Sequence, residues 1–152
     1  MVNNGIQRWL VVNTILTYID YYIGSDGKTI IITTHSRDWI ISLRSSIMRL
    51  FNDEMGMFDI CKLANTRCSN AINEFKLIKV VNNVKPCISA NRMKTCFSWK
   101  QNKEEIETLL GLIDGLILDD SPGHQYLDPA DEAVGYTIEL SYNERLPEWL
   151  HL

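Results

Sequence analysis

The feature that most restricts the fold is a short run, Lys28 to Thr34, reading KTIIITT. Every residue after Lys28 is β-branched. Such residues lose rotamer freedom in a helix and pack well on a pleated surface. The run does not alternate with polar residues, so it predicts a central strand covered on both faces, as in a parallel sheet. Ser36 follows as a helix N-cap, with Arg37 and Asp38 in the first turn. Trp39, Ile40, Leu43, Ile47, Leu50 and Phe51 then recur at helical spacing, and Asn52 to Gly56 ends the helix.

The same logic places the other elements. Apolar residues from Ile6 to Ile23 fall mostly at helical spacing and predict a helix buried on more than one side, closed by Gly24-Ser25-Asp26-Gly27. Met57 to Asn73 leans helical. Phe75–Val81 and Val84–Ala90 flank Asn82-Asn83 and predict a β-hairpin. Asn102 caps a short helix to Leu112, with Glu104 and Glu105 suited to its dipole. Gly115 to Asp119 predicts a second buried strand, Ser121-Pro122-Gly123 a turn, and Ala133–Tyr142 a last strand. Pro147–Leu152 is an apolar end. Strands alternating with helices give the expected class: one α/β domain over residues 1–152, with a mostly parallel sheet flanked by helices.

Composition narrows the setting. The chain has 152 residues, the size of one domain with its own core. No apolar run approaches the ~18 residues of a membrane span, and Met1 to Gly5 shows no secretory pattern. Cys61, Cys68, Cys87 and Cys96 form no C-x-x-C pair, which reads as reduced thiols in a cytoplasmic protein rather than a zinc site with His35, His124 or His151. Charge is uneven. Residues 1–118 hold 14 basic and 11 acidic residues, whereas 119–152 hold one and eight. The acidic end disfavours a nucleic-acid backbone and suits either solvent or a basic protein partner.

The residues that carry chemistry cluster at Leu116-Ile117-Leu118-Asp119-Asp120. A strand that ends in an acid can fix a carboxylate on Mg²⁺, and a second acid can orient water. His124 completes a possible metal set with Asp119 and Asp120. Thr34-His35-Ser36 puts another histidine at a strand end, without an identifiable acid. Arg37, Arg44 and Arg49 lie along one helix and read as a solvated face.

With helix 6–23, TIIITTHS, the Phe75–Ala90 hairpin and LILDD in that order, residues 5–121 resemble the ATPase core of viral DNA-packaging terminases, a P-loop type. The resemblance implies Asp119 as a metal ligand, with Asp120 in place of the usual glutamate. The G-K-T or G-K-S of that family is missing: Asn3-Asn4-Gly5-Ile6-Gln7-Arg8 stands at its place, with Ile6 for the lysine and Gln7 for the hydroxyl. Without a phosphate cradle and its charge, ATP hydrolysis has no support. The resulting expectation is a non-catalytic, protein-binding P-loop-like module of viral or mobile-element origin, with no cofactor required. Two alternatives accompany it. One is a metal-dependent phosphate-ester hydrolase or nuclease using Asp119, Asp120 and His124. The other is an acidic inhibitor that mimics nucleic acid with residues 119–152.

Overall fold

The computed structural model of the protein describes residues 17–24, 27–127 and 136–144. The β-branched run forms strand β2 (Gly27–Thr34). Its neighbour β1 (Thr17–Gly24) pairs with it antiparallel over eight residues, Gly24 opposite Gly27. Gly27 has φ +110°, a backbone region that side-chain-bearing residues resist. The end of the expected helix 6–23 is therefore a strand, and residues 6–16 lie outside the described part. TYIDYYIG alternates Tyr18, Asp20 and Tyr22 with Ile19, Tyr21 and Ile23. That period of two, with aromatic and β-branched residues, prevails over the helical spacing.

The β2 strand is central, as its composition predicts. The five-stranded sheet runs β4-β1-β2-β9-β8, with β4 at Thr66–Cys68, β8 at Gly123–Tyr126 and β9 at Tyr136–Tyr142. A second sheet runs β3-β5-β7-β6, with β3 at Met57–Asp59, β5 at Glu74–Lys79, β6 at Cys87–Ala90 and β7 at Cys96–Gln101. Both mix pairings: β1–β4, β2–β9 and β5–β7 are parallel, and the rest antiparallel. The mostly parallel, P-loop-like sheet is thus corrected to two mixed sheets. The expected β5–β6 hairpin is corrected too, since β7 lies between them and β6 pairs with β7. Residues 57–73 are not a helix. They form β3, a 3-10 turn at Ile60–Lys62 and β4, with Asp59 Oδ1 accepting the backbone N–H of Cys61 at 3.0 Å and of Phe75 at 3.1 Å.

Among the described residues, two α-helices cover the inner side. α1 (Arg37–Phe51) is capped by Ser36, whose Oγ accepts the Trp39 N–H at 3.1 Å. It buries Trp39, Ile40, Leu43, Ile47 and Leu50, and Trp39 Nε1 donates to Thr66 Oγ1 on β4 at 2.8 Å. α2 (Lys103–Asp119) is capped by Asn102 and buries Ile106, Leu109, Leu110 and Ile113. It runs on through LILD, so the expected second strand at 115–119 is the end of this helix. Leu118, 83% exposed, is not on a buried strand. Of the segments quoted for the terminase resemblance, TIIITTHS does form a strand that leads into a helix, whereas residues 17–23, Phe75–Ala90 and LILDD take other forms than those it assigned. An Arg44–Asp114 ion pair ties the helices together.

One hydrophobic core joins both sheets and both helices. It includes Ile19, Ile30, Ile32, Ile138 and Leu140 from the first sheet and Phe75, Leu77, Phe97 and Trp99 from the second. Phe97 sits 5.3 Å from the ring of Tyr21 and 5.9 Å from that of Tyr136, bridging the sheets. No helix among the described residues is long and apolar enough to cross a membrane.

Candidate metal centre

Strand register decides which polar side chains meet. In the β8–β9 pair, His124 lies opposite Ser141 and Tyr126 opposite Glu139. Opposed residues of an antiparallel pair share a face, and alternate residues along a strand do too. His124, Tyr126, Glu139 and Ser141 therefore stand together on the face turned away from α1 and α2. Glu144, just past β9, reaches the same point. Leu140 and Ile138 alternate with these residues and are fully buried, which fixes the register and hence the cluster.

His124 Nδ1 and Glu144 Oε1 are 3.0 Å apart. The Ser141 hydroxyl donates to Glu144 Oε2 at 2.5 Å. One ligand atom each from His124, Glu139 and Glu144 lies within 4.8 Å of the others. The His124 ring meets Tyr126 edge-on, with centroids 5.6 Å apart. Electrostatics follow from this packing. Burial raises the Glu139 pKa, and the Glu144 charge adds to the rise. Burial pushes Glu144 upward as well, but the hydrogen bonds from Ser141 and His124 outweigh it and hold its pKa low. The hydrogen bond to Glu144 raises the pKa of His124. Two carboxylates and an imidazole thus share one edge of the sheet, with one carboxylate poorly solvated.

The three residues singled out in the sequence separate here. His124 belongs to the cluster. Asp119 ends α2 and is exposed, and Asp120 is its C-cap in the left-handed region, φ 47°. Asp120 Oδ1 accepts the Tyr142 hydroxyl at 2.8 Å, a fastening of helix end to strand. Among the described residues, the only three-ligand group is His124, Glu139 and Glu144. Neither glutamate stands out in the sequence, because pairing across a strand creates the site. The one available signal is the alternation in YTIELSY, which sets Glu139 and Ser141 on one face.

Other flagged residues take supporting places. His35 Nδ1 lies 3.3 Å from Asn143 Oδ1. Arg37 donates to the Ile117 carbonyl, Arg44 pairs with Asp114, and Arg49 pairs with Glu54 at 3.3 Å, so all three cations are engaged within the fold. Trp99 is buried in the core, and Trp149 lies outside the described residues. The four cysteines are free thiols, and two of them meet. Cys61 and Cys68 are hydrogen-bonded through their side chains. That bond is the main cause of a raised Cys61 pKa and a lowered Cys68 pKa. Comparison with protein-family models, curated proteins and solved structures returns no match to this chain.

Proposed function

We propose that this domain binds a divalent cation through His124, Glu139 and Glu144. The observation that carries the reading is the convergence of one imidazole and two carboxylates on an exposed sheet edge. A half-buried carboxylate beside a second negative charge is costly to ionise. A cation would offset that cost for Glu139. Mixed nitrogen and oxygen donors suit Zn²⁺ or Mn²⁺ better than Mg²⁺, which prefers oxygen alone and keeps its waters. Three protein ligands leave coordination positions for water, the arrangement of open rather than closed sites. Ser141 orients Glu144 from behind, as outer-shell hydroxyls do in metal sites.

This reading keeps His124 from the hydrolase alternative and replaces its aspartates. Titration of the protein with Mn²⁺, followed by loss of the free-ion electron paramagnetic resonance signal, tests the proposal. One bound ion per chain is expected, with binding lost in His124→Ala. A titration with no bound ion, or one unaffected by that substitution, refutes it.

A further inference from the structure

The same sheet face carries a second cluster, toward its opposite edge. Asp20 on β1 pairs with Ile31 on β2, which pairs in turn with Glu139 on β9. Asp20 and Glu139 are thus two strand spacings apart, ~10 Å. Along β1 the alternation sets Tyr18, Asp20 and Tyr22 in a row, a carboxylate between two phenol rings. β4 runs beside it in parallel, with Arg67 next to Tyr18. With Ser69, these residues line a cleft of about 850 Å³, a size typical of small-molecule sites.

Asp20 is only 6% exposed. Its Oδ1 accepts the Tyr21 backbone N–H at 2.7 Å. Among the described residues Asp20 pairs with no cation, and its Oδ2 takes no hydrogen bond. Arg67 is exposed and also lacks an ion pair among the described residues. Both charges act on one group: burial raises the Tyr18 pKa, Asp20 raises it further, and Arg67 opposes them. A negative and a positive group therefore share one cleft without neutralising each other.

We propose that this cleft binds a small zwitterion of the amino-acid class, its ammonium on Asp20 Oδ2 and its carboxylate on Arg67. The tyrosine rings beside Asp20 add cation–π attraction for the ammonium, and the guanidinium matches a carboxylate in two-pronged fashion. A simple amine would meet Asp20 but be repelled by Arg67, and a simple carboxylate the reverse. The site shares no ligating residue with the metal cluster, so either can fail without the other.

Isothermal titration of the full chain with glycine, γ-aminobutyrate and L-phenylalanine tests it, with n-butylammonium and propionate as single-charge controls. At least one zwitterion should bind more tightly than both controls. Asp20→Asn, which keeps the shape, should weaken that zwitterion about tenfold or more, the effect of losing one charge-assisted contact. Arg67→Gln, at an exposed position, should weaken the zwitterion and leave butylammonium unchanged or tighter. The inference is overturned if no zwitterion binds up to ~10 mM, beyond the weak end of useful affinity. It is equally overturned if a single-charge control binds as tightly, or if either variant binds the zwitterion like the parent. Should Asp20→Asn not fold, the Arg67→Gln comparison decides alone.

Discussion

Glu139 concentrates the tension in the candidate site. Its folded pKa is raised, chiefly by burial. Its contribution to stability is therefore present below the ordinary glutamate value and is lost as pH rises through the raised one. Glu144 has the opposite sign: its lowered pKa gives stability above the ordinary value, lost as pH falls through the folded one. His124, raised by Glu144, contributes below the usual histidine value and loses that contribution as pH rises through its own. Glu139→Gln should therefore raise the metal-free melting temperature near neutral pH while removing cation binding, a trade of function for stability. Thermal melts with chelator present would show it, and a lowered melting temperature would contradict the assignment. At Cys61 and Cys68 the contact lowers the Cys68 pKa and raises that of Cys61, which makes Cys68 the readier nucleophile. Iodoacetamide should label Cys68 before Cys61, as read by peptide mass spectrometry. The reverse order would contradict that ranking.

Among the elements, the helices are the most legible in the sequence and the short strands the least. α1 announces itself through Ser36 and the spacing of Trp39, Ile40, Leu43, Ile47 and Leu50. Ser36→Ala should cost about 1 kcal/mol, measured by denaturant unfolding, through loss of the Trp39 N–H acceptor. α2 outruns its sequence signal because IDGLILDD holds a glycine, a β-like apolar run and paired acids. Its fully buried face ends at Ile113, Leu116 and Ile117 pack only partly against the core, and Leu118 points to solvent, so the apolar run of the last turns does not follow the helical stripe cleanly. Gly111 and Gly115 both lie inside this helix, with open space where an alanine methyl would sit. Gly115→Ala should then stabilise by about 0.5–1 kcal/mol, since alanine restricts the unfolded chain and favours the helix. A loss of stability would mean that the segment is not helical. β1 resembles a helix in sequence because a short apolar run fits both periods, and only its eight-residue pairing with β2 decides between them.

At the scale of the molecule, what the sequence withholds is long-range pairing. The β2–β9 contact joins residues 28–34 to 136–142, and β1–β4 and β5–β7 are parallel partners separated by intervening elements. No local pattern encodes such partners, which is why strands are legible near 28–34, 75–81 and 136–142 while their arrangement is not. The strand β7, CFSWKQ, escapes notice although Phe97 and Trp99 alternate inward, because Ser98 and Lys100 read as surface. The candidate site shares this origin: His124 is visible as a possible ligand, but its partners are delivered by β9 across the sheet. The central claim is that this edge is a cation site, and binding to the folded state alone must stabilise it, by about 2.7 kcal/mol at a hundredfold excess over Kd. The most direct measurement is the melting temperature of the parent, His124→Ala and Glu139→Gln with Mn²⁺ or Zn²⁺, then with excess chelator. The parent should melt higher with metal and revert with chelator, while both variants stay unmoved. An unchanged parent, or variants that rise with it, would contradict the account.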